Sequence, residues 1–132
     1  MAATVTFIDR TFDDALALLV EARNYIAYSQ PGDADQSRPN LRIQISYETM
    51  RVTARLVAAM AWLLAEKAVR TGEITREQSR SEEFALSTSE ACLDPSGPEN
   101  ENLPKGLRSL LDRSYRLYTR VARLEAQTHS VA

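Results

Sequence analysis

At 132 residues, with 44% apolar and 26% charged side chains, the chain has ordinary globular composition and enough length for one domain with a core. In the apolar stretch 41–72 the longest uncharged piece, Leu56 to Ala65, is closed by Arg55 and Glu66 and falls short of the roughly 18 residues of a membrane span. The start, with Asp9 and Arg10 beside a short apolar patch, lacks the pattern of a signal peptide, so a cytoplasmic protein without membrane insertion is expected. Cys92 and His129 are each the sole residue of their kind, which excludes an internal disulfide and leaves no metal cluster or cofactor site to expect.

Net charge is −2, but it is unevenly spread: zero over residues 1–72, −6 over 73–102 and +4 over 103–132. Fourteen of the sixteen basic residues are Arg, whose planar fork favours bidentate pairing with carboxylates or phosphates.

The first helix is expected over about 10–29. Thr11 followed by Asp14 is a capping-box-like start, and Pro31-Gly32 ends it. Phe12, Ala15, Leu16, Leu19, Ile26 and Ala27 make its expected core face, with Arg23 in the middle. Residues 31–39 read as a polar, turn-rich connection, after which Asn40 can cap a central helix over about 40–71 that stops at Gly72.

That central helix is apolar on two opposite sides. One stripe is Ile43, Tyr47, Met50, Ala54, Val57, Ala61, Leu64 and Ala68; the other is Leu41, Ile45, Val52, Leu56, Ala59 and Leu63. Such a helix needs neighbours on both sides. Between the stripes run Gln44, Glu48, Arg51, Arg55 and Glu66, with the single tryptophan, Trp62, projecting among them.

Thr75 to Gln78 is a second cap-like start, of a short helix over about 75–84. The proline- and carboxylate-rich connection over about 87–103 has little to bury and is expected to be a mobile loop. The last helix, over about 104–125, has Pro104 in its first turn and the stripe Leu107, Leu110, Leu111, Ser114, Leu117, Tyr118, Val121 and Leu124. Its other side carries Lys105, Arg113, Arg116, Arg120 and Arg123.

No alternating apolar segment calls for strands. The expected fold is all-α: a single helical domain over 1–132, a three-helix bundle with a long central helix, a short extra helix and a flexible loop before the last helix. The second apolar stripe needs either the opposite flank of the same bundle or a second copy of the protein; apolar spacing alone does not choose between them, and the surface a small three-helix unit leaves uncovered points to a homodimer.

No activated nucleophile beside a base and no glycine-rich phosphate loop is present, so catalysis is not expected. Arg23 on a core face requires a partner: Glu48 is the candidate for a buried ion pair, Glu66 a second, and an anionic ligand a third. The last would suit a small all-helical enzyme of the chorismate mutase type, with Arg51 and Arg55 as further cations. Arg113, Arg116, Arg120 and Arg123 suit an acidic protein surface or phosphates. The acidic helix carrying Glu77, Glu82 and Glu83 opposes docking on DNA, so nucleic acid is the weaker reading. Arg51, Arg55 and Trp62 share one side of the central helix and are residue types enriched in binding hot spots.

The segments ETMRVTARLVAAMAWLLAEKAVRTGEITREQ, Glu48 to Gln78, and LPKGLRSLLDRSYRLYTRVARLE, Leu103 to Glu125, resemble the RcdA family, the regulators of CtrA degradation of alphaproteobacteria. MRVTARL, the AWLL-x-x-KAV run, the GE-x-TREQ turn and the SYRLYTRVARL ending carry that resemblance. It implies an all-helical, dimer-forming, non-enzymatic adaptor that presents CtrA and other cargo to the protease ClpXP. The implied companions are a CpdR-like response regulator and a PopA-like effector, and the implied location is a cell pole.

Overall fold

A computed structural model describes residues 2–130 and shows an all-α architecture. Three long helices, α1 (Ala2–Asn24), α3 (Pro39–Thr71) and α6 (Lys105–Ser130), pack on one another, with α3 between the other two and in its broadest contact with α6. Short helices α2 (Gln30–Asp35), α4 (Arg76–Ser79) and α5 (Glu90–Leu93) lie in the connections.

The first helix begins well before Thr11 and does not stop at Ser29. At Tyr25–Ser29 it widens into a π-helical turn and runs on into α2, with Pro31 in the first turn of α2. Its buried face is Ile8, Thr11, Ala15, Leu18, Ala22 and Tyr25. Of the expected face only Ala15 is buried; Phe12 and Leu19 are half-buried, while Leu16, Ile26 and Ala27 are exposed. The buried face combines the small Thr11, Ala15 and Ala22 with Ile8, Leu18 and Tyr25, and Leu16 and Ile26 fall at the rim. Tyr25 donates to Asp33 Oδ2 at 3.0 Å and so ties α1 to α2 across the π turn. Burial, and then that carboxylate, push the Tyr25 hydroxyl's pKa above its usual value.

Arg38, and not Asn40, is the N-cap of α3, with Pro39 in the first turn. Gly72 ends the helix at φ 84°, a conformation open to glycine, and the Glu73 N–H reaches back to the Ala68 carbonyl at 2.9 Å. Near this end Asp9 of α1 accepts from Arg70 at 2.7 and 3.1 Å and lies 3.4 Å from Lys67. The Arg70 hydrogen bond holds its carboxyl below the usual carboxylate range.

Thr75 and Gln78 form a full capping box, but α4 lasts a single turn before a 3-10 turn at Glu82–Phe84. Arg76 draws the segment back onto α3 through a two-pronged pair with the buried Glu66, at 2.7 and 2.9 Å. On α6 the expected stripe from Leu107 to Val121 is buried, while Leu124 is half-buried. The helix continues past Glu125 to Ser130.

The two apolar stripes of α3 have different fates. Ile45, Val52, Leu56, Ala59 and Leu63 pack into the core with α1 and α6, and Leu41 sits at its edge. Ile43, Tyr47, Met50, Val57 and Leu64 face outward.

Candidate functional site

Arg51 and Arg55 are 1% and 0% exposed, and they hold down the connection between α4 and α6. Arg51 donates to the carbonyls of Ser96 at 2.9 Å, Ala91 at 3.4 Å and Asp94, and meets Glu48 Oε2 at 2.6 Å. Arg55 donates to the carbonyls of Cys92 at 3.2 Å, Leu111 at 2.9 Å and Asp94, and its guanidinium carbon lies 5.1 Å from the Tyr115 ring centroid. Both side chains thus satisfy carbonyls that helix α5 leaves open at its C-terminal end. Burial, and then the neighbouring Arg51 charge, lower the Arg55 pKa.

The connection expected to be a mobile loop over 87–103 is therefore a strap bonded to α3 and α6. Tyr118 donates to the Ser87 carbonyl, the Leu86 N–H donates to Glu125 Oε2 at 2.7 Å, and Arg108 donates to the Pro98 carbonyl at 2.8 Å. Gly97 fits here because its φ is 126° and a Cβ would stand 2.8 Å from Leu111 Cδ1 and 3.0 Å from Glu48 Oε2. Backbone N–H groups of Ser96 and Gly97 hold Asp94 and Glu99 respectively below the usual carboxylate range.

The sequence-based candidates divide accordingly. Arg51, Arg55 and Trp62 are buried and form no outward contact surface; the polar strip of α3 faces the strap, and Trp62 belongs to the core. Arg23 and Glu48 do not pair. Arg23 is exposed and lies 3.4 Å from Asn24 Oδ1, because the core face of α1 is rotated away from it, while Glu48 pairs with Arg51. Arg23, Arg51 and Arg55 consequently do not converge on a cavity, as a dicarboxylate site of the chorismate mutase type would require.

Arg113, Arg116, Arg120 and Arg123 do lie on the exposed side of α6. Two of them pair with α1, Arg113 with Glu21 at 2.5 Å and Arg120 with Asp14 at 2.8 Å, and Arg116 lies 3.2 Å from Asp112 on its own helix. Asp14 and Glu21 were not among the sequence candidates. Their seven-residue separation, equal to that of Arg113 and Arg120, was the available signal.

The outer side of α3 is the other open surface. Between Arg42 and Lys67 the helix has four charged residues, Glu48, Arg51, Arg55 and Glu66; Arg51 and Arg55 are bound to the strap, Glu48 to Arg51 and Glu66 to Arg76. From Ile43 to Leu64, about 30 Å of helix, the outer face carries no charge and presents side chains such as Met50 and Val57 that are 69% and 58% exposed. Beside Met50 and Val57 an open groove of about 620 Å³ separates α3 from Ala85 and Ser87 of the strap.

Among the described residues there is no group of three His, Cys, Asp or Glu placed to hold a metal ion, and no helix is long and apolar enough to cross a membrane.

Comparison with known proteins agrees with this architecture. In structure the chain is similar to RcdA from Caulobacter crescentus CB15, known from a crystal structure, with a TM-score of 0.73 and 33% sequence identity over 92% of this chain and 89% of that one. No curated protein sequence matches it. The family described as "Protein of unknown function (DUF1465)" matches residues 1–132. The chain therefore belongs to the DUF1465 family and is an RcdA-like, all-helical protein.

Proposed function

We propose that the protein is a non-enzymatic adaptor that promotes regulated proteolysis of CtrA-type cargo by ClpXP, acting as a homodimer joined through the outer face of α3. The observation that carries the binding role is that uncharged face, from Ile43 to Leu64: a surface this apolar and this long on a small helical protein marks an interface. Self-association suits it, since a face without charge finds its complement in another copy of itself. The likeness to RcdA across nearly the whole chain supports a binding role directed towards CtrA degradation; the companions proposed with it, a CpdR-like response regulator and a PopA-like effector, and its place in the cytoplasm and at a cell pole are those that the family resemblance implies. Tethering cargo and protease raises their effective local concentration without new chemistry. A nucleic-acid role finds less support, because two of the α6 arginines are neutralised by Asp14 and Glu21.

Reconstituted degradation of CtrA-type cargo by ClpXP, with the response regulator and effector present, tests this reading. Degradation is expected to accelerate when the protein is added and to lose that acceleration with Val57→Asp. An unchanged rate with the wild-type protein overturns the adaptor role.

A further inference from the structure

The uncharged outer face of α3 changes character along its length. Its first half protrudes, with the large side chains of Ile43, Tyr47 and Met50 all exposed. Its second half is hollow: Ala54, Ala58 and Ala61 lie along the groove of about 620 Å³ whose far wall is Ala85 and Ser87 of the strap. Protrusion and hollow are spaced alike about Ala54. Met50 and Tyr47 lie four and seven residues before it, and Ala58 and Ala61 lie four and seven residues after it. Steps of four and seven stay on one side of a helix, so a half-turn about Ala54 exchanges the two sets.

We infer that the groove is filled by Tyr47 of a second copy, in a dimer whose α3 helices cross antiparallel with Ala54 on the two-fold axis. The inference rests on the reading of this face as the dimer interface and gives that interface its direction and register. Ala54 at the crossing lets the two backbones come to the short end of the roughly 8–10 Å range of packed helices. Tyr47 of the partner subunit then lies over Ala58 and Ala61 with its hydroxyl towards the strap at Ser87, and Met50 of the partner subunit lies beside Val57 and Ala58. A buried tyrosine of this kind covers apolar surface with its ring while its hydroxyl keeps a polar neighbour. A parallel pair would set Tyr47 against Tyr47 and Met50 against Met50, leaving both grooves without the contacts that filling them supplies. With no charge on the face, side-chain size alone selects the direction, and a second copy carries its protrusion at the spacing the groove requires.

Cysteine cross-linking with oxidised glutathione tests the register, with the wild-type protein as control because its single cysteine, Cys92, is buried. Ala54→Cys should become a linked dimer in most of the protein, since the axis brings the two thiols within disulfide reach. Met50→Cys and Val57→Cys should each link little alone and link to one another when mixed. In sedimentation Tyr47→Ala should weaken association about tenfold, the scale of a lost anchor side chain. Ala61→Met adds apolar surface yet should also weaken it, by filling the hollow. Helical circular dichroism of each variant checks folding. Self-linking of Met50→Cys or Val57→Cys, a dimer that Ala54→Cys leaves unlinked, or tighter association with Ala61→Met overturns the arrangement and leaves the dimer standing. A wild-type monomer at tens of micromolar overturns both, whereas the adaptor role is decided by the ClpXP assay.

Discussion

Arg51 and Arg55, one turn apart on α3, share the carbonyl oxygen of Asp94 as an acceptor. Two like charges are held together in the interior because their remaining donors go to strap carbonyls and, for Arg55, to Leu111 and Ser114 of α6, and because Glu48 lies 2.6 Å from Arg51. Arg55→Met should therefore destabilise the protein by about 2–4 kcal/mol, as it strips the donors from buried carbonyls of Cys92 and Leu111. Arg55→Lys should recover only part of the loss, since one ammonium cannot span the same acceptors. Urea unfolding midpoints of the two variants check this.

Gly97→Ala should cost about 3 kcal/mol, combining a positive φ with a Cβ pressed against Leu111 and Glu48. Gly32→Ala, in α2 with open space around it, should be neutral or slightly stabilising. Thermal melts of the pair separate the two cases.

Acid should loosen the strap. Asp94 and Glu99 titrate below their ordinary values of 3.8 and 4.5. Each thus binds fewer protons folded than unfolded, and its stabilisation is present above the ordinary value and lost as pH falls through the lowered one. Unfolding midpoints measured from about pH 5 down to about pH 3 should fall more steeply for the wild type than for Asp94→Asn with Glu99→Gln.

The proposed dimer requires the outer face of α3. Sedimentation should show the wild type as a dimer at tens of micromolar, and Met50→Lys or Val57→Asp as monomers with unchanged helical circular dichroism. A charge placed at either position must be desolvated on association, which should weaken it by at least about a hundredfold. A wild-type monomer at that concentration would contradict the interface.

The helical fold, the C-terminal end of α3 and the start of α4 were legible because periodicity, Gly72 and the Thr75–Gln78 box are local signals. The start and facing of α1 were not. Half of its core stripe is Thr11, Ala15 and Ala22, which weigh little in a hydrophobic pattern beside Ile8, Leu18 and Tyr25, while Leu16 and Ile26 draw attention to the rim. The strap was hidden for a different reason. Its carbonyls find donors some forty residues away, on Arg51 and Arg55, and backbone acceptors leave no trace in the residue letters. The same blindness turned two internal guanidinium groups into candidate surface contacts. Arg113, Arg116, Arg120 and Arg123 were placed correctly on the exposed face, but their counter-charges on α1 required the antiparallel register of α1 and α6.

Because the strap depends on side-chain donors from α3 and α6, it has no stable position until those helices have packed. Its interactions should therefore form late in folding, after α3 and α6 have associated. Substitutions that loosen it, such as Arg55→Met, should therefore speed unfolding while leaving the folding rate nearly unchanged. The amides of 86–97 should exchange with solvent sooner than those of α3. The wall of the groove beside Met50 and Val57 should then open more readily than the bundle itself, so that the proposed interface is bordered by a segment able to move while the helices stay packed.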